Sequence, residues 1–125
     1  MQLSSIVIDC SNAERLMEFY QKLLNWEPRV YDHGEDGVWI TLKSKDSTTR
    51  IVFQETSDYV RPTWPNKKNQ QQIMLHMDFY SDDVEGDVKR ALSLGAEYAS
   101  YQSGDWSVLL DPEGHAFCVV PRRKR

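Results

Sequence analysis

The sequence predicts an α+β fold in which two tandem βαβββ modules form a curved, cup-like mixed β-sheet with the helices outside. Three observations lead to this prediction: an internal repeat, apolar positions at helical spacing in both copies, and period-two alternation in the segments that follow. One copy alone is too small to hide the inner face of its own sheet, so the two copies are expected to enclose a shared hollow.

The repeat begins with the first strand and the helix of each copy. Residues 5–26 (SIVIDCSNAERLMEFYQKLLNW) align without gaps on residues 76–97 (HMDFYSDDVEGDVKRALSLGAE), at an offset of 71. Ser11 with Glu14, and Asp82 with Glu85, have the spacing of a helix cap followed by a glutamate that reaches back to free backbone N–H groups. Gly95 is expected to end the second helix.

Each helix is predicted from one apolar face. The first face comprises Ala13, Leu16, Met17, Tyr20, Leu23 and Leu24, and the second comprises Val84, Val88, Ala91 and Leu92. The later strands also match, since GVWITL (37–42) corresponds to GDWSVL (104–109) and RIVFQE (50–55) corresponds to HAFCVV (115–120). Each half therefore reads as strand, helix and three strands.

The length of 125 residues suits one domain that needs neither disulfides nor a structural metal. We expect a first module at about 3–55, a connecting strap or lid at 56–72, a second module at about 73–121 and a basic tail at 122–125. The two cysteines, Cys10 and Cys118, form no CxxC pair and are expected to stay reduced.

Composition narrows the classes of function. The net charge of −4 argues against a nucleic-acid surface, and no apolar run approaches the roughly 20 residues of a membrane span. The segment MQLSSIVID lacks the pattern of a signal peptide, so a cytoplasmic location is expected. No phosphate-binding glycine loop, dinucleotide fingerprint or Ser-His-Asp arrangement is present, which disfavours nucleophilic hydrolysis and NAD chemistry.

Three segments, NAERLMEFYQKLLNW, HMDFYSDDVEGDVKRALSLGAE and WSVLLDPEGHAFCVV, are spread over residues 12–120 and so over nearly the whole length of the chain. In them the chain resembles the vicinal oxygen chelate superfamily, which includes glyoxalases, bleomycin-resistance proteins and extradiol dioxygenases. The resemblance implies the fold of that superfamily, a homodimer, and a divalent metal held by side chains from four strands. Such a metal binds substrate oxygens and acts as a Lewis acid.

The resemblance places the four ligand positions on Ser5, Gln54, His76 and Cys118. A register slip of one residue would exchange Gln54 for Phe53 or Glu55. Serine is a poor ligand, and Cys118 stands where the family often has a carboxylate. This set does not suit Mg or Mn, and two firm ligands are fewer than the three of a catalytic zinc. Zn, Fe, Ni and Mn stay open as cofactors, although the residues favour a metal that is absent or weakly bound.

Each candidate also has a structural interpretation. His76 is a candidate catalytic residue, as metal ligand or base, but with Asp78 and Tyr80 on the same strand face it could equally be a hydrogen-bonded polar residue in a wet cavity. Cys118 could be only a small buried hydrophobe. His115, in the turn before the last strand, is expected at the surface.

Further cavity residues are sought among the aromatic and strap residues. The strap TSDYVRPTWPNKKNQQQ either covers the edge between modules or acts as a lid in which Tyr59, Arg61 and Trp64 reach the pocket or a dimer contact. In the lid an arginine could pair with an anionic ligand group. Trp39 and Trp106, related by the repeat, could hold a planar ligand between them if both point inward.

Two classes of function are weighed first. The chain is an enzyme (a lyase, isomerase or dioxygenase acting on a small oxygenated molecule in a central cavity), or it is a non-catalytic binder of an aromatic or cationic small molecule with a degenerate metal site. A third interpretation is a structural or regulatory module with a vestigial cavity. The small-molecule ligand itself is not specified by the sequence.

Overall fold

The computed structural model describes residues 1–34, 37–46, 48–99, 102 and 105–122, with the backbone alone for 28–34. The basic tail from residue 123 onward and Gly104 of the predicted GDWSVL match lie outside the described residues. The chain divides into two compact units, Met1–Tyr59 and Val60–Arg125, and each unit contains one of the predicted modules.

The first unit has the predicted order of strand, helix and three strands. Its elements are β1 (Ile6–Cys10), α1 (Ala13–Leu24), β2 (Glu27–Gly34), β3 (Gly37–Lys43) and β4 (Arg50–Glu55). They form a four-stranded mixed sheet in the order β1-β4-β3-β2, with β1 parallel to β4 and the other neighbours antiparallel. The parallel pair follows from the helix, which carries the chain back to the same end of the sheet.

The second unit repeats this topology. Its elements are β5 (Met77–Ser81), α2 (Val84–Ser93), β6 (Glu97–Tyr98), β7 (Ser107–Leu110) and β8 (Ala116–Pro121). The sheet order is β5-β8-β7-β6, again with the first strand parallel to the last. Because β5 and α2 begin 71 positions after β1 and α1, the tandem βαβββ prediction is confirmed. Among the described residues, no helix combines the length and apolar character that a membrane crossing requires.

The helix caps lie one residue later than the sequence predicts. Asn12 caps α1, where its side chain accepts a hydrogen bond from Arg15 N at 3.0 Å, and Asp83 caps α2 by accepting from Gly86 N at 3.0 Å. The predicted caps Ser11 and Asp82 were wrong because the residue after each one also carries a side-chain oxygen that can accept from the free N–H groups. Asn12 and Asp83 are themselves 71 positions apart, so the repeat is preserved.

The core of the first unit lies between α1 and one face of its sheet. Phe53 of β4 is fully buried and stacks on Tyr20 of α1 with ring centroids 5.6 Å apart. Since side chains alternate along a strand, Ile51 shares this face while Val52 and Gln54 point to the other. The buried residues of α1 are Ala13, Leu16, Met17, Phe19 and Tyr20, which include most of the predicted apolar face.

The second unit divides its sheet in the same way. Ser81 of β5 donates its hydroxyl to Asp87 of α2 at 2.6 Å, which identifies the helix-facing side of that strand. Phe79 is on the same side by alternation and meets Phe117 of β8 edge-on at 5.8 Å. The residues that alternate with these along β5 and β8, including Asp78 and Cys118, therefore lie on the opposite face of the sheet.

Candidate functional site

Three side chains that can bind a metal come together on the face of the second sheet opposite α2. His76 directly precedes β5, Asp78 lies within β5, and Cys118 of β8 is the register partner of Asp78. Residues two apart on a strand point to the same side, so the parallel pairing of β5 with β8 places all three together. One ligand atom from each lies within 4.8 Å of the others. We call these residues the His-Asp-Cys group.

The group combines a buried thiol with two accessible partners. Nε2 of His76 lies 3.4 Å from Oδ1 of Asp78, and both side chains are nearly half exposed. Cys118 is buried, and its pKa is raised to about 11, first by burial and then by the charge and hydrogen bond of Asp78. The thiol is therefore protonated at neutral pH, and a metal cation would have to displace that proton.

The donor set fits a divalent cation that accepts sulfur. A tetrahedral zinc separates neighbouring ligand atoms by about 3.3–3.6 Å, so a spread of up to 4.8 Å requires side-chain movement of about 1 Å. Because His76 and Asp78 are exposed on their outer side, they are free to make such a movement. One imidazole, one carboxylate and one thiolate also supply the three protein ligands of a catalytic zinc, which leaves a position for a small molecule.

An apolar surface surrounds the thiol. Cys118 belongs to a buried cluster on this face, with Trp64 and Ile73 of the segment before β5 partly buried against it. The cluster consists of Ala99, Val108, Ala116, Cys118 and Val120. The indole of Trp64 is also 6.3 Å from the His76 ring between centroids, at an interplanar angle of 45°. The predicted lid residue Trp64 therefore lies beside His76.

The predicted ligand Gln54 lies in the other unit. It pairs with Trp39 of β3, and both side chains are half-buried on the sheet face opposite α1. The one-residue slips considered from sequence are wrong for that face: Phe53 stacks on α1, and the Glu55 carboxylate accepts from Ala13 N, at the start of α1, at 3.0 Å. Gln54 and Trp39 are thus neighbours on one face of the first sheet.

The strand registers correct the predicted equivalence between the two last strands. Val7 pairs with Val52, and Asp78, which is 71 positions after Val7, pairs with Cys118. β4 therefore corresponds to β8 at an offset of 66, one more than the alignment of RIVFQE with HAFCVV assumes. In the first unit Val52, not Phe53, occupies the position of Cys118, and Gln54 corresponds to Val120. The sequence alone could not detect this because both strands are short and apolar.

Arg61 is held on a turn of its own unit. Its Nη1 donates to the carbonyl of Pro112 at 3.0 Å, and Nη2 is 3.7 Å from Glu97. Its side chain also lies over Gly114, where an added Cβ would be 2.5 Å from Cγ of Arg61. These contacts hold Arg61 on its own unit, which fits a ligand-binding role for Arg61 less well.

Two other predicted cavity residues occupy separate places. Tyr59 is half-buried in the first unit, where its backbone N donates to the Thr56 carbonyl at 3.3 Å. Trp106, in the second unit, directly precedes β7 and is 39% exposed. Ser5 precedes β1 as His76 precedes β5, so its assignment to the equivalent position agrees with the strand bounds.

His115 was expected at the surface, and this was wrong. Its side chain is only 21% exposed, and Nδ1 is 2.8 Å from Oδ2 of the fully buried Asp111. Oδ1 of Asp111 also accepts from the backbone N of Glu113 and of His115 at 2.9 and 3.0 Å. The pair closes the turn between β7 and β8, so its role is structural.

Asp78 is the candidate ligand that the sequence pattern alone did not reveal. The signal was present, since His76 and Asp78 are two apart on a segment that alternates, which places both side chains on one face. Its significance depends on Cys118, 40 positions later in the sequence, lying directly opposite on the neighbouring strand. Only the strand register shows that Asp78 and Cys118 are neighbours.

The comparisons with known proteins agree with this fold. A family model described as a glyoxalase-like domain matches residues 5–120. The fosfomycin resistance protein FosX from Listeria monocytogenes has a TM-score of 0.71 and 17% identity, over 99% of this chain and 98% of that chain. A mutant of that FosX complexed with Mn(II) and 1S,2S-dihydroxypropylphosphonic acid has a TM-score of 0.65 and 15% identity, over 94% of this chain and 87% of that one.

TnmS3, an antibiotic binding protein from Streptomyces sp. CB03234, has a TM-score of 0.62 and 18% identity, over 98% of this chain and 99% of that one. At these identities the structural likeness establishes the fold alone. No curated protein matches the sequence significantly.

Proposed function

The chain belongs to the family of glyoxalase-like domains in the vicinal oxygen chelate superfamily, and from this premise we propose that it binds a thiophilic divalent cation and a small oxygenated molecule at the His-Asp-Cys group. The observation that carries the proposal is the convergence of His76, Asp78 and Cys118, whose ligand atoms lie within 4.8 Å. The Mn(II) in the complex of the FosX mutant supports a metal role for the fold.

The donor set argues for zinc or iron(II) over magnesium or manganese. A thiolate is a soft ligand that favours these cations, whereas magnesium and manganese prefer oxygen. A bound cation would supply Lewis acidity toward the oxygen atoms of the small molecule. The protein's own contribution is to hold the ligands: Asp78 lies next to His76 and accepts the thiol hydrogen of Cys118.

The burial and exposure of the three side chains also indicate how they would take part in a reaction. Burial of Cys118 keeps water from the sulfur, while the exposure of His76 and Asp78 leaves one side open to the substrate. His76 is then either a ligand or, if displaced, a base within reach of the bound molecule. An enzyme of the lyase, isomerase or dioxygenase type is the function proposed first.

A second candidate function is non-catalytic binding of a planar small molecule. It is favoured by the apolar cluster around Cys118 and by the indole of Trp64 beside it. The antibiotic binding protein TnmS3 supports this candidate by its fold. Binding of a planar, uncharged aromatic dye such as Nile red to chelator-treated protein, undiminished relative to metal-loaded protein, would favour the binder over the metal enzyme.

The metal site is tested with a matched pair of cysteine variants. Co(II) is titrated into the wild-type protein, Cys118→Ser and Cys10→Ser, and the thiolate-to-cobalt charge-transfer absorption is recorded. Both cysteines are buried and neither forms a disulfide, so the pair controls for loss of a thiol as such. We expect the band in the wild type and in Cys10→Ser, and its loss in Cys118→Ser. A wild-type protein that gives no band contradicts the proposed site.

The other two ligands have their own control. His76→Ala and Asp78→Asn should each weaken Co(II) binding, as measured by competition with a chelating dye, by about 10-fold or more. Asp9→Asn, which changes an exposed strand aspartate in the first unit, should leave binding unchanged. Equal weakening in Asp9→Asn would show that the cation binds to general negative charge.

Two expectations from the sequence remain part of the proposal: a cytoplasmic location and a homodimer. The homodimer is supported by the resemblance to the superfamily. Light scattering of the purified chain across a range of concentrations tests the dimer, and a mass equal to one chain at every concentration contradicts it.

A further inference from the structure

The aromatic residue next to the His-Asp-Cys group comes from the strap and not from the sheet. Trp64 packs on the same apolar cluster as Cys118, and its indole stands 6.3 Å from the imidazole of His76. The indole is only partly buried, so it still offers surface to a molecule bound at the group. The indole of Trp64 therefore packs against the apolar residues around the Cys118 thiol and lies beside His76, a candidate metal ligand.

We propose that Trp64 determines the specificity of this site by selecting oxygenated molecules that carry a planar apolar group, preferably an aromatic ring, next to their metal-binding oxygens. This inference rests on the proposed function, because the oxygens are taken to bind a cation held by His76, Asp78 and Cys118. Aromatic pairs favour offset or edge-on contacts with centroids about 4.5–7 Å apart, so a ring could contact the indole there.

The segment that carries Trp64 is held in place by hydrogen bonds of its own. The side chain of Asn66 donates to the carbonyl of Ile73 at 3.2 Å and accepts from its backbone N at 2.8 Å, which ties residue 66 to residue 73. Thr63 N donates to the Gln71 carbonyl at 2.9 Å. A pre-ordered indole costs little entropy on binding, as a specificity element requires.

The charges around the group disfavour an anionic substituent. The strap carries three cations: Lys67 and Lys68 are exposed, and the guanidinium of Arg61 bonds to Pro112 and lies near Glu97. Asp78 adds a negative charge within the group itself. An apolar group next to Trp64 is not repelled by the Asp78 carboxylate, and it covers part of the indole. The geometry therefore favours an apolar substituent over a carboxylate or phosphonate.

Two probes with the same chelating head isolate the contribution of the indole. Acetohydroxamate and benzohydroxamate present the same pair of oxygens and differ in a methyl against a phenyl group. Their dissociation constants are measured on Co(II)-loaded wild type, Trp64→Leu, Trp64→Phe and the control Trp26→Leu, which makes the same change after α1 in the first unit. The thiolate-to-cobalt band is recorded in every variant.

In the wild type we expect benzohydroxamate to bind about tenfold more tightly than acetohydroxamate, from the aromatic contact. The preference should persist in Trp64→Phe and Trp26→Leu and fall to about twofold or less in Trp64→Leu, with acetohydroxamate binding and the cobalt band retained. A wild type without the preference, or a Trp64→Leu protein that keeps it, overturns the inference while leaving the metal site intact. Absence of the cobalt band in the wild type overturns the proposed function itself.

A second measurement covers the case in which Trp64→Leu does not fold. In Zn(II)-loaded wild type, the phenyl protons of benzohydroxamate should give nuclear Overhauser contacts to one indole, and those contacts should vanish in Trp64→Phe. Contacts that survive in Trp64→Phe, or a bound probe that shows none, contradict the proposed role of Trp64.

Discussion

The two modules of this protein share a topology but not a chemistry. Their helices begin 71 positions apart. Both sheets have the same strand order, and in each the first strand is parallel to the last. The positions of His76, Asp78 and Cys118 correspond in the first module to Ser5, Val7 and Val52. One module can therefore hold a metal with these three residues, and the other cannot.

The difference shows that the two faces of each sheet are under separate constraints. The helix-facing side must bury apolar residues in both copies, and it does so with Phe53 in one and Phe117 in the other. The opposite face does not have to fill the helix–sheet core, so it can differ between copies without loss of the fold.

The largest expected effect comes from building the second module's site into the first. The triple variant Ser5→His, Val7→Asp, Val52→Cys should bind a second cobalt ion, because the same residue types then occupy the same register. A site of micromolar affinity corresponds to about 8 kcal/mol. Titration of the thiolate-to-cobalt band should rise from about one to about two ions per chain, and an unchanged stoichiometry would show that the registers alone do not define a site.

The next largest effect comes from substitutions on the helix-facing side of the sheet, which is buried in both modules. Phe53→Ala and Phe117→Ala should each lower the free energy of unfolding by about 3–5 kcal/mol, because each removes a fully buried ring and leaves a cavity. Gln54→Ala, on the opposite face of β4, should cost less than about 1 kcal/mol. Urea denaturation measures all three, and similar losses for Phe53 and Gln54 would refute the assignment of faces.

A smaller effect on stability is expected in the turn before the last strand, and it should differ between the two modules. Asp111→Ala removes a buried carboxylate that accepts from two backbone N–H groups and from His115, so we expect a loss of about 2–3 kcal/mol in urea denaturation. Asp46, in the corresponding turn of the first module, accepts from Thr48 N at 3.1 Å but is exposed. Asp46→Ala should be clearly milder, and an equal loss would mean that burial does not distinguish the turns.

The smallest effect is the pH dependence of the exposed turn. Hydrogen bonds from Ser44 and from the backbone and side chain of Thr48 lower the pKa of Asp46 from 3.8 to about 2. A lowered pKa in the folded state stabilises the fold above the ordinary pKa, and this stabilisation is lost as the pH falls from about 4 to about 2.

The melting temperature of Asp46→Asn should accordingly be slightly below that of the wild type at neutral pH and equal to it at the acidic end. Asp58→Asn, an exposed aspartate outside this turn, controls for the change of net charge. A difference between wild type and Asp46→Asn that persists unchanged in acid would contradict this explanation.

Much of the fold was predictable because its signals are local. The apolar spacing of Leu16, Met17 and Tyr20 identified α1, and the buried residues of the helix include all three. The caps were misplaced by one residue, since Ser11 and Asn12 are both good capping residues and only the backbone geometry at Asn12 separates them. Gly95 was predicted to end α2, and its φ of 116° immediately after the helix agrees with that role.

The candidate site was predictable only in part. His76 and Cys118 were identified from sequence, but Asp78 was not recognised as their partner, and the match of RIVFQE with HAFCVV was one residue out of register. Trp64 was named within a lid without any indication that it stands beside His76. These errors share one cause: the distance between residues far apart in sequence depends on strand register and on the path of the strap.

The sequence by itself determined that a strand–helix–three-strand unit occurs twice, because periodicity and capping are encoded over a few neighbouring residues. Only the tertiary structure decided which residues meet. Cys118 faces Asp78 and not Tyr80 because the parallel ladder settles in one register, in which Phe117 lies against Phe79 on the helix side. That register is chosen by burial of the helix-facing residues, and the position of the thiol on the other face follows from it.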